Sequence, residues 1–284
     1  MRAVTKLIVA GTLLALVLPV PHAWTQPAQD GLPVVSTTGA PPGTETLAVE
    51  WVNVAAPGLG VMLAAVARPP GAGPFPAVIV LHGSHGFAQE YVRLARDLAS
   101  GGLLGIAACW FHGGGGPGAR FVTPIECPEA PPMPGATSPE AMKSVDALLR
   151  AVRTLPGARP DRIGLFGHSR GGGASLNYVL RVGGVQAVVL NSVGYPSQFV
   201  DLSARLTAPI LMLHGKADDP ADGGSALSNI QMARDFESAV RASGKPVETV
   251  YYEGGRHNGI FSSPAQYRDE VQRMLAFLQR HLRD

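Results

Sequence analysis

Three short segments hold the residue types that acyl transfer needs. Ser169 sits in Gly167-His168-Ser169-Arg170-Gly171, a G-x-S-x-G pattern. His257 closes the run Glu253-Gly254-Gly255-Arg256-His257, and Asp218 follows His214-Gly215-Lys216-Ala217. A serine hydroxyl is a weak nucleophile until an imidazole removes its proton and later returns it to the leaving group. A carboxylate beside that imidazole fixes its tautomer and stabilises its cation. Ser169, His257 and Asp218 are therefore the candidate catalytic residues, with Asp219 and Asp222 as rivals to Asp218. The attacked carbonyl oxygen becomes negative and needs two preset N–H donors. The amide of Arg170 supplies one, and the turn His82-Gly83-Ser84-His85-Gly86 offers the amide of Ser84 as the second.

Glycine accounts for 35 of the 284 residues, so a G-x-S-x-G match is cheap and its surroundings must decide. Apolar residues 163–166 read as a strand and residues 171–180 as a helix, with Ser169 at the reversal. So tight a strand-to-helix turn strains the serine backbone and lifts its hydroxyl above a sheet, beside a helix N-terminus. The other segments follow strands too. Residues 77–81 precede His82, residues 210–213 precede His214, and residues 247–252 precede Glu253. Further strands are expected at 46–53, 60–68, 103–108 and 187–190, and helices at 89–100, 139–154, 230–243 and 264–281. Residues 26–43 read as an irregular lead-in. This alternation predicts an α/β fold with a mostly parallel central sheet, helices on both faces, and ligands at the carboxyl ends of the strands.

Residues 111–137 break the rhythm with four consecutive glycines and many prolines, and read as an irregular, cap-like insertion. His85, Trp110, Phe111, His112 and Tyr195 are candidates for the walls of a substrate pocket, with plain packing as the alternative. Arg170 would meet a substrate carboxylate or else form a structural ion pair.

The chain order Ser, Asp, His is that of the α/β-hydrolases. The stretch Pro160-Asp161-Arg162-Ile163-Gly164-Leu165-Phe166-Gly167-His168-Ser169-Arg170-Gly171-Gly172 resembles the dienelactone-hydrolase-like branch, as do Leu213-His214-Gly215 with Asp218 and residues 251–257. The similarity runs from about residue 77 to the C-terminus. It implies an α/β-hydrolase fold and a cofactor-free hydrolase. Dienelactone hydrolases proper use a cysteine nucleophile where this chain has Ser169, so the resemblance implies a serine carboxylesterase. Small-molecule and polymeric esters remain open as substrates, with a peptidase or a non-catalytic binding protein on the same scaffold as rivals.

The N-terminus reads as an address. Residues 1–6 are basic, 7–18 are apolar, and 19–26 contain small residues, the layout of a secretory signal peptide over residues 1–25. Its apolar core of about twelve residues is shorter than the roughly twenty that span a bilayer. Cleavage after Ala23 or Thr25 would leave a mature hydrolase domain over 26–284, secreted or periplasmic and free of the membrane. Of 23 basic residues, removal of Arg2 and Lys6 leaves 21 against 21 acids. A neutral mature chain argues against a nucleic-acid partner. The 46% apolar and 15% charged composition excludes disorder. Export would let Cys109 and Cys127 pair, the alternative being two buried thiols. His82 and His85 lack a third ligand for a metal, and nothing in the sequence fixes an oligomeric state.

Overall fold

The computed structural model describes residues 31–283, so the expected leader over residues 1–25 lies outside the described residues. Three antiparallel strands come first: β1 (Val34–Thr38), β2 (Glu50–Ala56) and β3 (Gly60–Ala67). Six strands follow that run parallel to one another: β4 (Phe75–Leu81), β5 (Leu104–Ala108), β6 (Ala158–His168), β7 (Ala187–Asn191), β8 (Ile210–Gly215) and β9 (Val247–Tyr252). All nine form one sheet in the order β1-β2-β3-β5-β4-β6-β7-β8-β9. Strands β5, β7 and β8 are buried along their whole length, as apolar runs covered on both faces must be.

Helices α1 (Gln89–Ser100), α2 (Pro139–Thr154), α3 (Arg170–Arg181), α4 (Ser197–Asp201), α5 (Ile230–Ala242), α6 (Gly259–Ser262) and α7 (Pro264–Leu282) connect and cover the strands. One face of the sheet packs on α2, α3 and α5 through Leu148, Leu176 and Phe236, and the other on α1 and α7 through Leu94 and Phe277. The long helices start where capping chemistry says they should. Ser138 accepts from the Ala141 amide and is followed by Pro139, while Ser263 accepts from the Gln266 amide ahead of α7.

Three sequence expectations need correction, and two short helices go beyond them. Residues 34–38, read as part of an irregular lead-in, form the edge strand β1, paired Val34↔Ala55 through Thr38↔Trp51. No residue of β1 is buried and Val35 alone packs against the core, so its Val-Val-Ser-Thr-Thr run needs no alternation. The next strand begins at Glu50, because Glu45–Leu47 turn as a 3-10 helix ending on Ala48 at φ 50°. Strand β6 is extended to 11 residues by a polar entry, Ala158–Arg162. The short α4 and α6, of 5 and 4 residues, carry too few positions to show a helical period.

The segment between β5 and α2 is irregular apart from a 3-10 turn at Pro117–Phe121. A disulfide joins Cys109, just past β5, to Cys127 inside this segment, with Cα atoms 6.6 Å apart. Closing a loop of 18 residues restricts the unfolded chain by about 3 kcal/mol. Replacing both cysteines with alanine is expected to lower unfolding free energy by about that amount, measured by guanidinium titration.

Candidate active site

Strand β6 delivers Ser169 to the start of α3, where its backbone adopts φ 51°, ψ −114°. A non-glycine residue there is strained, and it holds only when its surroundings over-determine it. Glycines do this. A Cβ on Gly167 would strike the backbone of Gly171 and Gly172, and one on Gly171 would strike the carbonyls of Leu81 and His82. Helix α3 thus lies directly on the ends of β4 and β6. The Ser169 amide donates to the Asn191 carbonyl at 2.8 Å, anchoring the turn to β7.

The loops after β8 and β9 meet this serine. His257 Nε2 lies 2.9 Å from Ser169 Oγ, and its Nδ1 lies 2.8 and 3.0 Å from the two oxygens of Asp218. Gly215 makes the meeting possible, since a Cβ there would collide with the Gly255 backbone. His257 and Asp218 are 2% and 7% exposed, so their hydrogen bonds are shielded from water. The rival acids are engaged elsewhere. Asp219 accepts from the Ala221 amide at 2.8 Å and from Arg256 at 3.0 Å. The Asp222 carboxylate pairs with Arg120 at 2.6 Å and with Arg256.

Ser84 and Arg170 stand together on the wall beside Ser169. Arg170 Nε donates to Ser84 Oγ at 2.9 Å and its Nη1 donates to the Pro134 carbonyl at 2.6 Å. Among the described residues, no protein acceptor takes the backbone amides of Ser84 or Arg170, and no acid pairs with the Arg170 guanidinium. The structural ion pair entertained for Arg170 is therefore absent. Tyr91 braces the turn from α1, accepting from the Gly83 amide at 2.9 Å and bonding His85 Nε2 at 2.6 Å.

A cavity of about 470 Å³ opens over Ser169 and His257, with Thr137, Arg170, Gln198, Phe199 and Leu227 in its walls. A second chamber of about 150 Å³ lies on the other side of the same pair, bounded by His85, residues 115–118 and Asn258. His85 thus reaches a chamber wall, whereas Trp110, Phe111 and Tyr195 do not. Trp110 and Phe111 are wholly buried against the ring of His82, and the Trp110 indole donates to the His82 carbonyl at 3.0 Å. Tyr195 stacks on Phe236 at 4.9 Å within the core. Residues directly after β5 and β7 still lie within the sheet's layers, where large rings cover strand ends. His112 is exposed and lines neither chamber.

The site rests on unusually buried polar groups. His82 and His85 are pushed down to about 3 and about 4, chiefly by burial, with the charge of His257 adding to the effect on His85. Burial also holds His168 well below its ordinary value, and lowers His214 against the opposing pull of Asp218. His168 Nδ1 bonds Asn191 Oδ1 at 2.7 Å, and Asn191 Nδ2 donates to Glu270 at 2.7 Å. Gln266 donates to the other Glu270 oxygen at 2.7 Å, yet burial still pushes the Glu270 carboxyl up to about 8.

Sequence reasoning passed over Ser228, whose hydroxyl donates to Asp218 Oδ1 at 2.9 Å, and the Asn191–Glu270 pair. Glu270 had a signal, because it sits on the apolar stripe of α7 with Met274 and Phe277. Ser228 had none. Among the described residues, no group of three or more His, Cys, Asp or Glu is arranged to hold a metal ion.

A mostly parallel sheet bearing a strained Ser169 at the end of β6, with Asp218 and His257 at the ends of β8 and β9, defines an α/β-hydrolase fold. Residues 62–282 match the dienelactone hydrolase family, and the chain belongs to that family of hydrolases. The chain is 27% identical over 238 residues, 75% of its length, to a Bradyrhizobium sp protein described as "Probable 2-oxo-3-(5-oxofuran-2-ylidene)propanoate lactonase", of which it covers 85%. The solved Pyrococcus furiosus esterase Pf2001 superposes with a TM-score of 0.65 at 14% identity, covering 87% of this chain and 99% of that one. A dienelactone hydrolase-like promiscuous phosphotriesterase from metagenomic libraries gives 0.62 at 16% identity, over 88% and 99% of the two chains.

Proposed function

We propose that the chain is an exported serine hydrolase that cleaves carboxylic esters through an acyl-enzyme on Ser169. The reading rests on the hydrogen-bond chain Ser169–His257–Asp218, at 2.9 Å and 2.8 Å. His257 Nε2 takes the hydroxyl proton as Ser169 Oγ attacks the carbonyl carbon. The amides of Ser84 and Arg170 receive the resulting oxyanion. As the tetrahedral intermediate collapses, His257 returns the proton to the departing alcohol, and water then repeats the sequence on the acyl-enzyme. Asp218, steadied by Ser228, keeps His257 Nδ1 protonated and balances the imidazolium. The lactonase name of the Bradyrhizobium sp relative agrees with carboxylic-ester chemistry.

Export rests on the leader read over residues 1–25 and on the Cys109–Cys127 disulfide, which an oxidising compartment preserves. Among the described residues no helix is long and apolar enough to cross a membrane. A fluorophosphonate probe is expected to label the protein once per chain, and peptide mapping is expected to locate the adduct on Ser169. An adduct on another residue, or none, rejects the assignment.

A further inference from the structure

The two chambers beside Ser169 differ in size and also in what their walls are made of. They share Ser84, Ser169, Gly223, Gly224 and His257, so they meet where the scissile bond would lie. The 470 Å³ chamber is bounded in part by side chains that no hydrogen bond holds, among them Gln198 and Leu227. The 150 Å³ chamber has His85 and Asn258 along one wall and the run Gly115-Gly116-Pro117-Gly118 along another, where the rigid ring of Pro117 is the one side chain.

That backbone is fixed at both ends. On one side the Gly115 amide donates to the Ser84 carbonyl at 3.2 Å, and Gly86 abuts Gly113 and Gly114 so closely that a Cβ would collide. On the other side Gly223 approaches Gly118, where a Cβ on Gly223 would lie 3.0 Å from the Gly118 amide. The buried Asp222 locks this second contact. Its carboxylate pairs with Arg120 from the 3-10 turn at 2.6 Å and with Arg256 beside His257, while its carbonyl accepts from Asn258. One carboxylate therefore ties the glycine segment to the loop that carries His257.

We propose that this clamped segment is a size filter: the substrates are esters with one substituent of only a few carbons, held in the small chamber, and a second, bulky one in the large chamber. This rests on the serine esterase reading above. A carbonyl carbon at Ser169 Oγ, with its oxygen toward the amides of Ser84 and Arg170, sends its two remaining substituents apart, one into each chamber. The chambers keep their roles while the Gly115–Ser84 bond and the pairs of Asp222 with Arg120 and Arg256 hold the segment in place.

Two matched series test this on the purified protein: 4-nitrophenyl esters from acetate to octanoate, and alkyl acetates from methyl to octyl. One methylene more or less in a hydrophobic pocket changes kcat/KM by roughly 10- to 200-fold. One series is expected to fall by at least that factor past its short members, while the other stays within about tenfold. Arg120→Ala is expected to move the cut-off of the steep series to longer chains. Gly118→Ala places a Cβ 3.2 Å from His85 Nδ1 and Asn258 Nδ2 and is expected to shorten it. Two flat series, two steep series, or a cut-off that neither variant moves overturns the filter while turnover and Ser169 labelling leave the esterase reading intact. Absence of both turnover and labelling overturns the two together.

Discussion

Replacing Ser169 with alanine is expected to lower ester turnover by a factor on the order of 10⁶, because nucleophile and base act as one unit and neither works alone. The residual rate would come from the oxyanion donors and from substrate binding. The fold should survive, since alanine meets the same backbone strain as serine at φ 51°, and the glycine contacts that enforce the turn do not involve the hydroxyl. Steady-state hydrolysis of 4-nitrophenyl acetate, with far-UV circular dichroism as the folding control, reads both quantities. A folded variant with undiminished turnover would place the chemistry elsewhere.

The second large effect is on stability. Four buried histidines, His82, His85, His168 and His214, hold protons less tightly in the folded chain than their ordinary 6.5. Below that pH the unfolded chain therefore binds more protons than the folded one, and stability is lost as pH falls. The loss begins near 6.5 and extends to about 4 for His85 and about 3 for His82. A tenfold difference in proton affinity between folded and unfolded chain is worth about 1.4 kcal/mol, so His82 alone can remove several kcal/mol, against a typical total of about 5–15 kcal/mol. Unfolding on acidification is expected before pH reaches about 4.

Glu270 has the opposite slope. Its carboxyl is held up near 8 against an ordinary 4.5, so the folded chain binds the extra proton and stability declines as pH rises through that interval. The two trends give a stability maximum near pH 6.5. Denaturant titrations across pH are expected to show that dome, with Glu270→Gln flattening the alkaline limb and leaving the acid limb in place. A flat acid limb in the unmodified protein would contradict the burial of these histidines.

Much of this architecture was legible in the sequence because single segments encode it. The apolar runs of β4, β5, β7 and β8, the Ser138-Pro139 entry to α2 and the Gly-rich turn at Ser169 each declare themselves locally. What could not be read depends on distant partners. Asp218, Asp219 and Asp222 share one loop, and only its path past His257 and Arg256 separates a carboxylate on the imidazole from two that hold arginines. Trp110, Phe111 and Tyr195 have the chemistry of pocket walls, yet their direction relative to the sheet layers puts them in the core. Strand β1 exists because β2 offers it an open edge, a condition that its own residues do not contain.

The strain at Ser169 bears on how such a sequence is maintained over generations. A non-glycine residue in that conformation costs on the order of 1–3 kcal/mol, and glycine would relieve it without disturbing the contacts that shape the turn. Random substitution therefore offers this position a route to a hardier molecule, and under the proposed mechanism that route ends in an inert one. Selection for durability and selection for turnover pull in opposite directions at this residue.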